Sequence, residues 1–190
     1  MRFSDIHKTI DEFDLNRLEN VSKAYISELL SCDFINQKQN IVMIGNCGSG
    51  KTHLSIALGL KACQVGYNVR FYTAVNLATE LVEAFQEGRL SKVEKSLAKA
   101  DLLIIDELSY LTFNRHQSEL LFQVISERSE RGSVIITTNL EFSKWTELFE
   151  NEMMVSALID RVTFRSHLLD MNVSESYRFK ETKKRLQQEK

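Results

Sequence analysis

Eight consecutive residues, Gly45-Asn-Cys-Gly-Ser-Gly-Lys-Thr52, restrict this 190-residue chain more than any other stretch. They match the pattern G-x-x-x-x-G-K-[ST] in full. They stand between a short apolar run, Ile41-Val-Met-Ile44, and a segment with helical spacing from Thr52 to Val65. The pattern needs that placement, because a strand must deliver the loop and a helix must leave it. Glycines allow positive φ and a close approach of backbone to a bulky anion. Successive N–H groups then form an anion nest at a helix N-terminus. A loop of this kind cradles the phosphates of a nucleoside triphosphate. Lys51 would bring a positive charge to the β- and γ-phosphates, and the Thr52 hydroxyl is placed to coordinate Mg²⁺. The expected nucleotide-binding stretch is Gly45, Asn46, Cys47, Gly48, Ser49, Gly50, Lys51, Thr52 and His53, with Cys47 contributing only its backbone N–H.

The rest of the chain alternates strand-like and helix-like runs. Val69-Arg-Phe-Tyr-Thr73 is β-branched and aromatic, while Leu102-Leu-Ile-Ile105 and Val134-Ile-Ile-Thr137 are continuously apolar. Continuous apolar runs suit strands buried on both faces. Helical spacing runs from Val75 to Gln86 and from Gln117 to Arg131, with Leu120, Leu121, Val124 and Ile125 on one face. A further helical run is Met153 to Val162, and a fifth strand is expected near His167 to Asp170. The expectation is an α/β three-layer sandwich around a parallel five-stranded sheet. Residues 1–40 read as a lead-in segment with a helix from Leu18 to Leu30, and residues 41–190 as the core, all within a single domain.

Leu102-Leu-Ile-Ile-Asp-Glu107 is an apolar strand that ends in two carboxylates. Such a pair alone reads as a solvated strand end. About 55 residues after a complete phosphate loop, it reads as chemistry. Asp106 can hold Mg²⁺, directly or through water, and Glu107 can polarise a water for attack on the γ-phosphate. A kinase for small molecules has little need of that second carboxylate, so the pair favours hydrolysis over transfer to a metabolite. Asn139 ends the third buried run. At the tip of a strand beside the nucleotide strand its amide could orient the attacking water, although an Asn after a strand is otherwise a turn residue. Arg161 closes the helical run before the last strand, and Arg178 begins the C-terminal segment. By themselves both are open to a plain structural reading, as a cation at a helix end or as a surface ion pair.

Composition narrows the setting. The apolar fraction of 43% and charged fraction of 26% are those of a globular protein. No run approaches the roughly 20 apolar residues that span a bilayer, and the N-terminus lacks the apolar core of a signal peptide. The expectation is a cytoplasmic protein with no membrane partner. Cys32, Cys47 and Cys63 are odd in number and widely spaced, which suits reduced, small apolar residues rather than disulfides or a zinc site. The net charge of −2 does not announce a nucleic-acid binder. The tail is more basic, with Arg178, Lys180, Lys183, Lys184, Arg185 and Lys190 against Glu181 and Glu189; it reads as a solvated terminal helix or as a basic arm.

The ordered motifs resemble those of the AAA+ superfamily, in the branch of DnaC-like helicase loaders and IstB-like transposition helpers. The resemblance covers nearly all of residues 10–180 and lies closer to IstB. It is carried by Glu87-Gly-Arg-Leu90, Asp106-Glu-Leu-Ser-Tyr-Leu111, Glu119-Leu-Leu-Phe-Gln123 with Ser126-Glu-Arg128, Thr137-Thr-Asn-Leu140, Phe142-Ser-Lys-Trp145, Leu158-Ile-Asp-Arg161 and Glu175-Ser-Tyr-Arg178. It implies that Asn139 is sensor 1, that Arg161 is an arginine finger reaching the nucleotide of a neighbouring subunit, and that Arg178 is sensor 2. The C-terminal segment would then stand in place of a full lid. The resemblance also implies an ATP-dependent homo-oligomer, ATP and ADP with Mg²⁺ as ligands, double-stranded DNA as partner and a transposase as client. Members of the branch carry an additional N-terminal helical region, so one is expected to have been removed ahead of residue 1. Asn172-Val-Ser-Glu-Ser-Tyr177 departs from the branch in lacking the glycine that often precedes the Glu-Ser-Tyr-Arg element. By the same analogy Phe13 and Leu15 are possible adenine contacts, or core residues.

For DNA, Arg89, Lys92, Lys95 and Lys99 fall in a segment whose Leu90, Val93, Leu97 and Ala100 make an apolar face at helical spacing. The lysines then project together, which suits phosphate contacts that ignore sequence; an ordinary lysine-bearing surface helix has the same pattern. Arg115 and His116 are weaker candidates. The alternative function is a loader acting on a replicative helicase, and a third reading is a P-loop kinase for a small molecule.

Overall fold

The computed structural model describes residues 8–108, 113–149, 151–177 and 179. Five strands form one sheet: β1 (Asn40–Ile44), β2 (Val69–Thr73), β3 (Leu102–Asp106), β4 (Ser133–Thr138) and β5 (Ser166–Asp170). Their order is β2-β3-β4-β1-β5, and each neighbouring pair is parallel. Between them run α1 (Lys23–Leu29), α2 (Asp33–Asn36), α3 (Lys51–Gln64), α4 (Ala74–Gln86), α5 (Leu90–Ala98), α6 (Arg115–Arg131) and α7 (Glu152–Thr163). This is the expected α/β three-layer sandwich.

The continuous apolar runs divide by parity. Ile41, Met43, Leu102, Ile104 and Ile135 enter one core with Leu54 and Leu58 of α3 and the N-terminal residues Ile26 and Leu29. Val42, Leu103, Ile105, Val134 and Ile136 point the other way, into a second core with Leu77 and Leu81 of α4, Leu121 and Ile125 of α6, and Leu158 of α7. Successive strand residues face opposite sides, so a strand covered on both sides must be apolar at every position.

The parallel register sets the strand ends level. Ile105 lies opposite Ile136 and Ile44 opposite Thr138. The residues that follow β1, β3 and β4 therefore emerge along one edge, where open α/β sheets take their ligands.

Buried polar groups tie the layers together. Asn40 donates from Nδ2 to the carbonyls of Ser129 and Val162 (3.2 and 3.4 Å), and its Oδ1 accepts the N–H of Val134 at 3.0 Å. Arg128 of α6 is buried and donates to the carbonyls of Ala98 and Ala100 at 3.2 and 2.6 Å, which fastens the turn before β3. Gly132 makes room for it: a Cβ there would stand 2.2 Å from Arg128 Nη2. Arg128→Ala strips the buried Ala100 carbonyl of its donor, so it is expected to destabilise the fold by roughly 1–3 kcal/mol. A melting temperature within a degree of the parent would contradict that role.

The N-terminal region departs from expectation. Instead of a helix from Leu18 to Leu30, a short 3-10 turn covers Leu15–Arg17 and α1 begins only at Lys23. Ser22 decides the start, because its hydroxyl accepts the Tyr25 N–H as an N-cap. Leu18 and Val21 keep their place in the core without helical backbone.

Candidate functional site

The phosphate loop leaves β1 and turns into α3 at Lys51, with Gly48 (φ 76°) and Gly50 (φ 98°) in the left-handed region. Both glycines are also pressed from outside. A Cβ at Gly50 would lie 2.7 Å from the Phe13 ring, and one at Gly48 would lie 2.1 Å from Ser176 Oγ. The Lys51 ammonium folds over the loop and donates to the carbonyls of Gly45 (2.7 Å) and Asn46 (2.9 Å).

Asp106 ends β3 and is buried, with 2% of its surface exposed. Its Oδ1 accepts the hydroxyl of Thr52 at 3.1 Å and that of Thr137 in a short hydrogen bond. Burial pushes its pKa above the usual carboxylate range, opposed by the Thr137 and Thr52 hydroxyls and by the charges of Lys8 and Lys51. A carboxylate with a raised folded-state pKa loses stability as pH rises through that pKa. Asp106→Asn should therefore raise the melting temperature near neutral pH. The gain should shrink as pH falls toward the folded-state pKa; an equal or lower melting temperature at neutral pH would contradict the burial penalty.

Glu107 follows in a left-handed conformation (φ 59°), which side chains other than glycine adopt at a cost. Its N–H donates to Thr137 Oγ1 at 2.9 Å. Thr137 thus serves both acidic residues, donating its hydroxyl proton to the Asp106 carboxylate and accepting the backbone N–H of Glu107. Sequence reading passed over it; the one available signal is a hydroxyl at the end of an apolar run predicted beside the acidic strand.

Lys51, Thr52, Glu107, Thr137 and Asn139 line one cavity of about 520 Å³. Asn139 comes from the end of β4, between β3 and β1, as its position in sequence predicted. The far wall is built from both ends of the chain: Phe13, Arg17 and Tyr177. Phe13 meets the His53 ring edge to face, at 5.2 Å between centroids, and His53 Nε2 is 2.8 Å from the Thr9 carbonyl. Arg17 lies over the Tyr177 ring at 4.8 Å. Leu15 packs in the N-terminal core and does not line the cavity.

The remaining candidates lie elsewhere. Arg161 is outside this cavity; its Nε donates to Glu130 at 2.9 Å, and its guanidinium sits over the Phe122 ring. Arg178 lies outside the described residues. Lys92, Lys95 and Lys99 are exposed along α5, opposite buried Val93, Leu97 and Ala100, while Arg89 pairs with Glu87. Arg115 and His116 belong to the first turn of α6. No disulfide joins the three cysteines; Cys32 is buried, but Cys47 and Cys63 are exposed, so only the first behaves as a core residue. No helix among the described residues is long and apolar enough to cross a membrane.

The family of IstB-like ATP binding proteins matches residues 1–185. The chain belongs to this family. Among its relatives, an insertion sequence IS5376 protein of Geobacillus stearothermophilus, named for ATP binding, is 41% identical over 183 residues, which cover 96% of this chain and 72% of the relative. The insertion sequence IS21 counterpart of Pseudomonas aeruginosa is 37% identical over 177 residues, 93% of this chain and 66% of its own. The IstB-like chain thus spans about two thirds of these relatives. Among solved structures, AMPPCP-bound DnaA of Aquifex aeolicus superposes with a TM-score of 0.74 at 23% identity, over 98% of this chain and 56% of DnaA. A DnaC helicase loader gives a TM-score of 0.68 at 20% identity, over 89% of this chain and 98% of the loader. Both likenesses are of fold alone.

Proposed function

We propose that this chain is an ATPase that assembles on double-stranded DNA as an ATP-dependent homo-oligomer and assists a transposase. The observation that carries the reading is the convergence of Lys51, Thr52, Glu107 and Asn139 on one cavity, with Asp106 directly behind Thr52. Membership of a family whose named relatives are insertion-sequence proteins supports the transposition setting, and work on DNA would place the protein in the cytoplasm.

In this reading the loop N–H groups hold the phosphates, and the Lys51 ammonium exchanges its carbonyl partners for phosphate oxygens. The Thr52 hydroxyl and Asp106 carboxylate are oxygen donors 3.1 Å apart, the kind of sparse protein set that suits Mg²⁺. That ion, when bound, would neutralise phosphate charge. Glu107 takes a proton from a water as the water oxygen bonds to the γ-phosphorus. The bond from that phosphorus to the β,γ-bridging oxygen breaks, and ADP leaves with the electron pair. Asn139 orients the water, and the two hydrogen bonds of Thr137 hold Asp106 and Glu107 in place.

Lys51→Ala is expected to weaken ATP binding between about ten- and a hundredfold, the loss of a hydrogen bond to a charged group. Calorimetric titration measures it, and parental affinity would contradict the site.

DNA contact is assigned to Lys92, Lys95 and Lys99 on the exposed face of α5, with Arg89 at its start. The deciding experiment is light scattering or electron microscopy on duplex DNA with and without ATP. Large complexes only with ATP, weakening steeply with salt, support the reading. ATP turnover without DNA assembly, together with capture of a replicative helicase, would favour the loader instead.

A further inference from the structure

Asn46 occupies a position of the phosphate loop where the sequence pattern accepts any residue, yet its side chain is committed. Its Nδ2 donates to the Val173 carbonyl at 2.7 Å, and its Oδ1 accepts the Val173 N–H at 3.2 Å. Its own backbone N–H goes to Asn172 Oδ1 at 3.0 Å. The amide therefore clasps a peptide 127 residues away, much as one strand pairs with another. Aspartate lacks the donor for this clasp, and glutamine is one methylene too long.

The clasped stretch adheres to the loop along its length. The Met171 N–H bonds the Ile44 carbonyl, and the Tyr177 N–H bonds the Gly48 carbonyl at 3.1 Å. Gly45 has no room for a side chain, since a Cβ there would stand 2.6 Å from the Met171 carbonyl carbon. From the other side Arg17 Nη2 holds the Glu175 carbonyl at 2.8 Å, and Glu19 accepts the Ser174 N–H at 3.0 Å. Asn46 also faces the nucleotide machinery, because its carbonyl accepts the Lys51 ammonium. A single residue, Asn46, thus stands between Lys51 and the C-terminal segment. When Lys51 turns to a phosphate, the Asn46 carbonyl loses its donor, and the altered loop is felt at Asn172 and Val173.

We propose that Asn46 is a positioning residue that holds segment 171–177 on the phosphate loop, so that loop and segment respond to nucleotide as one unit. The response to nucleotide rests on the ATP-binding reading above; the clasp does not.

Amide hydrogen exchange over residues 171–177 tests both parts, using the full chain with and without ADP. Without nucleotide, Asn46→Ala should exchange about tenfold faster in this segment than the parent, with exchange in β3 and β4 unchanged. Asn172→Ala, which removes a partner from outside the loop, should give the same direction of change, and Asn46→Asp an intermediate one. Equal exchange in parent and Asn46→Ala would overturn the clasp. With ADP, the parent segment should slow and the Asn46→Ala segment should not; equal slowing in both would overturn the coupling. If calorimetry shows that the parent binds no ADP, the coupling falls with the nucleotide reading, while the nucleotide-free comparison still decides the clasp.

Discussion

Glutamine in place of Glu107 is expected to leave ATP binding within a few-fold of the parent and to lower turnover by about 10²–10⁴-fold, the range that a general base contributes. The exchange keeps size and polarity but removes the group that accepts a proton. Glu107 is exposed, while its backbone is pinned by the Thr137 hydroxyl and by left-handed φ. A substitution at the side-chain tip should therefore leave the loop intact. Calorimetry gives the affinity, and phosphate release gives the rate. A near-parental rate would remove Glu107 from the mechanism and reopen the small-molecule kinase reading, in which a water-activating carboxylate has no place.

The second large effect is expected at Arg161, and it is a property of the assembly. Arg161 is absent from the lining of its own chain's cavity and is held by Glu130 and the Phe122 ring. The pair with Glu130 is partly exposed, with 37% of the arginine side chain and 59% of the glutamate open to solvent. Such pairs are worth at most about 1 kcal/mol, so a neighbouring subunit's phosphates could compete for the arginine. An arginine supplied to a transferring phosphoryl group is worth about 10³–10⁵ in rate. Arg161→Ala should accordingly bind ATP and lose assembly-dependent hydrolysis by a factor of that order. Mixing it with Glu107→Gln is the sharper measurement. The first variant offers an intact Glu107 and the second an intact Arg161, so a mixed assembly should regain activity that neither has alone. No recovery in mixtures that demonstrably co-assemble would argue against action between subunits.

Much of this molecule was legible before its fold was known, and the reasons are local. The phosphate loop is eight adjacent residues whose glycines, lysine and threonine act through their own backbone and side chains. The three interior strand runs, β1, β3 and β4, declare themselves because burial on both faces demands apolar residues at nearly every position. Asp106 and Glu107 stand at the end of one such run, and Asn139 at the end of another. Leu18 and Val21 have helical spacing, yet α1 begins only at Lys23, where the Ser22 hydroxyl caps it, and both residues enter the core from non-helical backbone.

By itself, then, the sequence determined the sheet, the phosphate cradle and the acidic pair, since each is specified by neighbouring residues and by periodicity. Tertiary structure alone decided which groups serve them. Thr137 reaches Asp106 from 31 residues away, Asn46 reaches Val173 from 127, and Arg17 reaches Glu175 from 158. Those contacts join residue types common in any loop or strand end, and no spacing announces them. They arise only because a parallel sheet sets β1, β3 and β4 level and brings residues 13–17 and 171–177 to the phosphate loop.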